Sequence, residues 1–538
     1  MCVLFARSRH SKCHLDSLWS VVMDAATPTT AQADVIAFLG DPMTHGGQPV
    51  ERIDTHGAIV FMAGDRAWKL KRAVRLPYLD FSTLERRRAA CAAELALNRR
   101  TAPDLYLRTV PLLRRPDGGL TLDPAARQGE PADWVVEMRR FRDEDLFDRM
   151  AERRALTPAL MRELAETIAG FHEEAEPRTD LGGAATMAGL VAGVLAELRR
   201  FPELFAASRV RLLEHLFGQE LERHGAQLDR RRDAGYVRHC HGDLHLRNIV
   251  LWQGHPVPFD CLEFDEALAV TDVLYDLAFL LMDLEHRRLR PLANVLFNRY
   301  LELSGDLAGL ALMPLFLALR AGIRAHAGAT AAAAQQAPSV AEAMRADAAA
   351  HLTLALQVLT PPAPRLVAIG GLSGTGKSTL ARWLAPEIGP APGAVILRSD
   401  GLRKRLLGVD ERTRLPPESY SEAVTGRVYA EIAGRAGLAL ESRHAVICDA
   451  VYARAEQRAA IEAIARAAGQ PFAGLWLVAD QETQLARVGE RSGDASDATA
   501  DVVRRQGAYD LGEMRWEIIP ASGPPADVAA IARRLIVA

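Results

Sequence analysis

Residues 371–378 read GLSGTGKS, between the apolar run 365–370 and the helix-forming stretch TLARWLAPEI. The octapeptide fits GxxxxGK[ST] without a mismatch, in the strand-to-helix setting that this pattern requires. Gly371, Gly374 and Gly376 let backbone N–H groups turn inward around a polyphosphate, with Ser373, Thr375 and Thr379 completing the loop. The start of the helix adds its positive dipole end. Lys377 is expected to reach the β- and γ-phosphates of ATP, and Ser378 to help hold Mg2+.

Working outward, five short apolar runs (RLVAIGG, AVILRSD, HAVICDA, FAGLWLVAD and WEIIPA) alternate with helical segments from about residue 360 to the end. Alternating strands and helices imply a parallel five-stranded sheet with helices on both faces. Asp400 follows the second run, where open α/β sheets bind ligands, and is placed to orient or deprotonate an acceptor hydroxyl. Arg403 is placed to hold a substrate anion. Asp449 ends the third run and is a candidate for the Mg2+ shell, or alternatively an N-cap of the next helix. Arg487 and Arg491, about one helical turn apart, are expected to close over the transferring phosphoryl group.

The chain has 538 residues, more than one core normally serves. A net charge of -3 gives no reason to expect nucleic acid or an anionic membrane as a partner. None of the six cysteines forms a CxxC pair, and no uninterrupted apolar run looks long enough to span a bilayer, so a reduced, cytoplasmic setting fits. The first 35 residues read as a loose leader, with Met23 an alternative start. TPPAP at 360–364 ends an Ala-rich helix and marks the boundary between domains.

Upstream, residues 36–140 alternate apolar runs with turns, reading as a mostly antiparallel sheet interrupted by one helix capped at Ser82 or Thr83. Residues 143–235 are helical. Within the next mixed region, HGDLHLRN at 241–248 has the form HxDxxxxN. Phosphoryl transfer needs a carboxylate by the acceptor hydroxyl (Asp243) and an amide oxygen on a metal ion (Asn248). Asp260 offers a second Mg2+ ligand, and Asp276 is placed to accept hydrogen bonds from the catalytic loop. Lys69 and Lys71 share one face of RAWKLKR, and we favour Lys69 for the phosphates, paired with Glu94. Glu137 and Met138, in VVEMRRF, would offer backbone groups to adenine.

The C-terminal part resembles the small P-loop kinases of metabolites, such as gluconate, shikimate and nucleoside kinases and the zeta-toxin-like kinases. Lysine, helix glutamate, linker, HGD loop and metal aspartate, in that order over 36–357, resemble the aminoglycoside phosphotransferase family. The whole chain is similar to bacterial bifunctional aminoglycoside phosphotransferase/ATP-binding fusions, whose second half is an AAA-type P-loop domain. This resemblance implies an α+β protein-kinase-like two-lobed domain (lobes 36–140 and 141–358), then an α/β P-loop domain (359–538). A departure is the absence of a glycine-rich strand loop; MAGD at 62–65 is the nearest candidate. Another is that no glycine follows Asp260.

Between 281 and 355 six acids face seven arginines, so the acceptor lobe is not the acidic pocket a polycation needs. Arg320 and Arg324, one turn apart, are placed to bind an anion. The acceptor is therefore expected to be a neutral or anionic hydroxylated metabolite. Two fused ATP-dependent phosphotransferase sites are the first reading. A nucleotide-sensing kinase-like module controlling one active P-loop site is the alternative.

Overall fold

The structure is a computed structural model that describes residues 32–55, 57–76, 79–123, 129–489 and 496–537. The chain forms two compact units. One runs to Arg288 and resumes at Leu315–Leu359; the other joins Leu289–Pro314 to everything from Thr360 onward.

In the first unit, β1 (Glu51–Asp54), β2 (Ala58–Ala63), β3 (Arg66–Lys71), β4 (Tyr106–Arg114), β5 (Leu120–Thr121) and β6 (Glu130–Arg139) form one sheet. Its order is β1-β2-β3-β6-β4-β5, and all its pairs are antiparallel. Alternation along the strands puts Val60, Met62 and Val136 on one face and Ile59, Phe61 and Val135 on the other. The first face packs on Cys91 of helix α1 (Leu84–Asn98), whose N-cap is Thr83. The second packs on Val35 and Leu39, so the fold already includes residues assigned by sequence to the leader; Gln32 donates to Asp133 Oδ2 at 2.6 Å. The MAGD turn closes the β2–β3 hairpin, with Gly64 at φ +58. The second lobe is helical. It carries a small hairpin of β7 (Ile249–Trp252) and β8 (His255–Pro258), followed by helix α2 (Val273–His286).

In the second unit, β9 (Leu366–Gly371), β10 (Val395–Arg398), β11 (Val446–Asp449), β12 (Phe472–Val478) and β13 (Glu517–Pro520) form the all-parallel sheet that the sequence predicts. Its order is β10-β11-β9-β12-β13. Val367, Ile369, Ile447, Leu475 and Ile519 form its core with Leu380 and Leu384 of helix α4 (Lys377–Leu384).

Helix α3 (Arg290–Ser304) lies, by sequence order, inside the kinase-like stretch, yet it packs with the P-loop unit. The reason is an edge strand. β10 ends the sheet, and Asn298 Oδ1 accepts from the N–H of Ile396 at 2.7 Å. Asn294 and Asn298 both donate to the carbonyl of Ala394, each at 3.1 Å. Two amides thus satisfy backbone that an open edge would leave to solvent or to another chain. The helix Ala308–Ala334 is long and apolar enough to cross a membrane by length and composition, although Arg320 and Arg324 interrupt it, and 78% of its most apolar 18-residue stretch is buried inside the protein.

A fragment beginning at Thr360 is therefore expected to aggregate or lack cooperative unfolding. One carrying 289–314 on a flexible linker should regain both solubility and a cooperative melt. Size-exclusion chromatography and thermal circular dichroism of the two fragments check this.

Candidate active sites

The kinase-like unit gathers its charges between β3 and α1. β3 is paired on both sides, so Lys69, opposite Val60 and Val136, projects from the middle of the sheet. Its Nζ lies 2.6 Å from Glu94 Oε1 and 2.6 Å from Asp260 Oδ1, with the lysine only 2% exposed. Lys69, Glu94 and Asp260 meet as the sequence predicts. Lys71, the other lysine on that face, joins them, together with two residues that sequence reasoning did not place there, Glu263 and Asn98. Lys71 sits 2.6 Å from Glu94 Oε2 and ion-pairs with Glu263, three residues beyond Asp260. Asn98, one turn after Glu94, donates to the carbonyl of Glu94 and accepts from the N–H of Cys261, tying the Asp260 segment to α1.

Two lysines face three carboxylates in a buried place, so one negative charge is in surplus. It falls on Asp260. Burial pushes the Asp260 carboxyl up, against Lys69. Glu94 is equally buried, but shared between Lys69 and Lys71 it is held down at about 2. The two carboxyls shift in opposite senses because Glu94 has two cations and Asp260 has one. Asp260 also has φ +62, a conformation that costs a non-glycine residue on the order of 1 kcal/mol or more and clusters at functional sites. A divalent cation on Asp260 would relieve the surplus charge, so the residues present fit Mg2+.

The catalytic loop is held from below. Asp276 Oδ1 accepts from the N–H of Gly242 at 2.8 Å, and Oδ2 from the N–H of His241 at 3.2 Å and His172 Nε2 at 3.1 Å. Burial alone would raise its carboxyl, but His172, His241 and Arg320 bring it down to about 2. Asn248 Nδ2 donates to Asp243 Oδ2 and to the carbonyl of Asp243, both at 3.0 Å. That geometry orients Asp243 and leaves Asn248 Oδ1 for a metal ion.

Two expectations need correction. Glu137 and Met138 lie inside β6, paired with β3 on one side and β4 on the other, so their backbone is engaged in the sheet. The linker begins after them, at Arg140. Arg320 is 5% exposed, donates to the carbonyls of Gly242 and Tyr275, and sits over the Tyr275 ring at 3.9 Å. It braces the loop and is not offered to an anion. Of the two arginines assigned to the transferring phosphoryl group, Arg491 lies outside the described residues, and Arg487 is described below.

In the P-loop unit the glycines are dictated by the turn. Gly374 has φ +84, and a Cβ there would lie 2.6 Å from the carbonyl oxygen of Gln484; one on Gly371 (φ +141) would lie 2.7 Å from that of Leu477. Gly376 caps α4 at φ +92. Lys377 Nζ rests on the carbonyl of Leu372 at 3.0 Å, and Thr375 Oγ1 donates to the same oxygen at 2.8 Å. Ser378 Oγ donates to Asp449 Oδ2 at 2.5 Å. The next helix is capped by Arg454, so Asp449 is no N-cap, and the Ser378–Asp449 pair fits a Mg2+ shell. Asp400 stands in the first turn of α5 (Ser399–Leu406). Burial pushes its carboxyl up, with Asp449 adding to the effect, which makes it a better base than a free aspartate.

Helix α6 (Gln481–Gly489) carries Arg487, which donates to the carbonyl of Ala521 at 2.7 Å and of Gly523 at 3.2 Å. It lines a cavity of about 310 Å³ with Thr375, Gly376, Ser378, Thr379 and Pro525. Arg487 therefore borders a cavity that opens beside the phosphate loop.

These sites define a kinase-type phosphotransferase in two parts: a phosphotransferase-enzyme-family (APH) fold, then an α/β P-loop domain. The description "Phosphotransferase enzyme family" matches residues 129–313, and "AAA domain" (AAA_33) matches 366–509. The protein Rv2004c of Mycobacterium tuberculosis (strain ATCC 25618 / H37Rv) is 33% identical over 483 residues, covering 88% of this chain and 92% of the relative. The chain belongs to the family of that protein. Among solved structures, a choline/ethanolamine kinase family protein from Mesorhizobium loti is 16% identical, covering 61% of this chain and 99% of its own, with TM-score 0.36. A gluconokinase from Sinorhizobium meliloti 1021 is 20% identical, covering 32% and 94%, with TM-score 0.24.

Two predictions follow from the kinase-like site. Lys69→Met leaves Asp260 without its cation and should cost about 3–5 kcal/mol of stability together with Mg-ATP binding to this unit. Thermal unfolding and a nucleotide titration measure both. Burial also pushes the His241 imidazole from 6.5 down to about 4. The unfolded chain thus binds a proton that the folded chain refuses. Stability should be intact above pH 6.5 and fall by about 3 kcal/mol as pH drops to about 4. Denaturant melts across that range should show a shallower decline for His241→Gln.

Proposed function

We propose that the chain is an ATP-dependent phosphotransferase with two nucleotide sites, each delivering the γ-phosphoryl group to a hydroxyl of a small neutral or anionic metabolite. The observation that carries this reading is the convergence of Lys69, Glu94 and Asp260 on one buried point. Mg-ATP supplies the phosphoryl group and neutralises its developing charge; positioning and electrostatics do the rest.

In the kinase-like unit Lys69 holds phosphate oxygens, Asp260 and Asn248 hold the metal ion, and Asp243 accepts the acceptor's proton. In the P-loop unit Lys377 and the loop N–H groups hold phosphates, and Ser378 and Asp449 hold the metal ion. Asp400 takes the proton there. Arg403, one turn after Asp400 on α5, is buried and donates to the carbonyl of Ser419. A reducing, cytoplasmic setting agrees with the buried free thiols of Cys91, Cys240, Cys261 and Cys448.

The test is transfer of γ-labelled phosphate by the full-length chain to a panel of hydroxylated metabolites. Asp243→Asn and Lys377→Ala should each abolish transfer to one acceptor, by about 100-fold or more, and spare the other. If Lys377→Ala removes all transfer and Asp243→Asn none, the kinase-like unit is a sensor for a single active site.

A further inference from the structure

Ser373, the third residue of the phosphate loop, gives its backbone N–H to Oε1 of Gln506 at 2.7 Å. Gln506 ends helix α7 (Ala500–Gln506) and is only 8% exposed. The donor is an N–H, so the atom facing it is the carboxamide oxygen, and that fixes the orientation of the amide. Its Nε2 carries two protons, and among the described residues it donates them to no partner. A free amide donor therefore stands next to the loop that binds anions.

The side of the loop matters. Asp497, just before α7, accepts from Lys404 Nζ at 3.3 Å, and Lys404 lies one turn after Asp400 on α5, so this segment approaches from the acceptor aspartate. Arg487 and the cavity it lines lie instead beside Thr375 and Gly376. The phosphate nearest the acceptor is the terminal one.

We propose that Gln506 is a positioning residue that reads the terminal phosphate of the nucleotide in the P-loop unit. Its oxygen is anchored on Ser373 N–H, and its amide N–H groups donate to the γ-phosphate, which makes the site prefer ATP to ADP. This rests on the phosphotransferase reading of that unit.

The experiment uses the full-length chain titrated with Mg-ATP and Mg-ADP, taking as the P-loop component the binding that Lys377→Ala removes. Gln506→Glu keeps an oxygen for Ser373 N–H but turns a carboxylate oxygen toward the phosphate. It should weaken ATP at least about tenfold and leave ADP within about threefold. Gln506→Ala should weaken ATP by a smaller factor, again sparing ADP. Three results overturn the inference alone: an unchanged ATP-to-ADP ratio in both variants, tighter ATP binding in Gln506→Ala (a competing plug), or equal loss of both nucleotides with a lowered melting temperature (a purely structural contact). Absence of any Lys377-dependent nucleotide binding in the wild type overturns the reading of the unit, and the inference with it.

Discussion

The first unit depends on a charge imbalance that its own side chains do not settle. Lys69 and Lys71 share Glu94, and what remains is Asp260 with half a lysine's attention. Buried ion pairs are poor sources of stability, because desolvation of both partners offsets most of their attraction. Their worth here lies in specification. Glu94 bridges both lysines, which ties α1 to β3. Asn98, on the same helix, fixes the segment that carries Asp260. The buried charges are thus held rigidly in place, and preorganised supports of this kind need no rearrangement when a ligand arrives.

The P-loop unit solves the same problem with backbone. Glycines at 371, 374 and 376 remove the side chains that would fill the cradle, and N–H groups replace lysines as the main source of positive potential. Only Ser378, Asp449 and Lys377 are then needed at fixed points. One chain thus holds two differently built sites, one from side-chain charge and one from main-chain dipoles.

Much of this was legible in the sequence wherever function imposes close spacing. The phosphate loop, the pair Asp243 and Asn248, and the alternation that puts Lys69 on one strand face are local signals. They survive folding because no distant contact can change them. The errors share a different cause. Glu137 and Met138 lie near a linker in sequence, but whether their backbone is free depends on how many strands flank β6. Arg320 reads as a surface cation, and only the aromatic rings of Tyr275 and Phe279 reveal it as a brace. Glu263 was visible three residues from Asp260 but gave no cue without Lys71 opposite. For α3, helical periodicity shows a buried face and says nothing of which sheet buries it.

Helix α3 also bears on how the protein comes to exist. A ribosome delivers Leu289–Pro314 well before β10, the strand whose edge that segment finishes. During synthesis its asparagines and apolar face have no destination, while Leu315–Leu359 must pass back to complete the unit already emerging. The nascent chain therefore carries Leu289–Pro314 without its sheet until the last third is made.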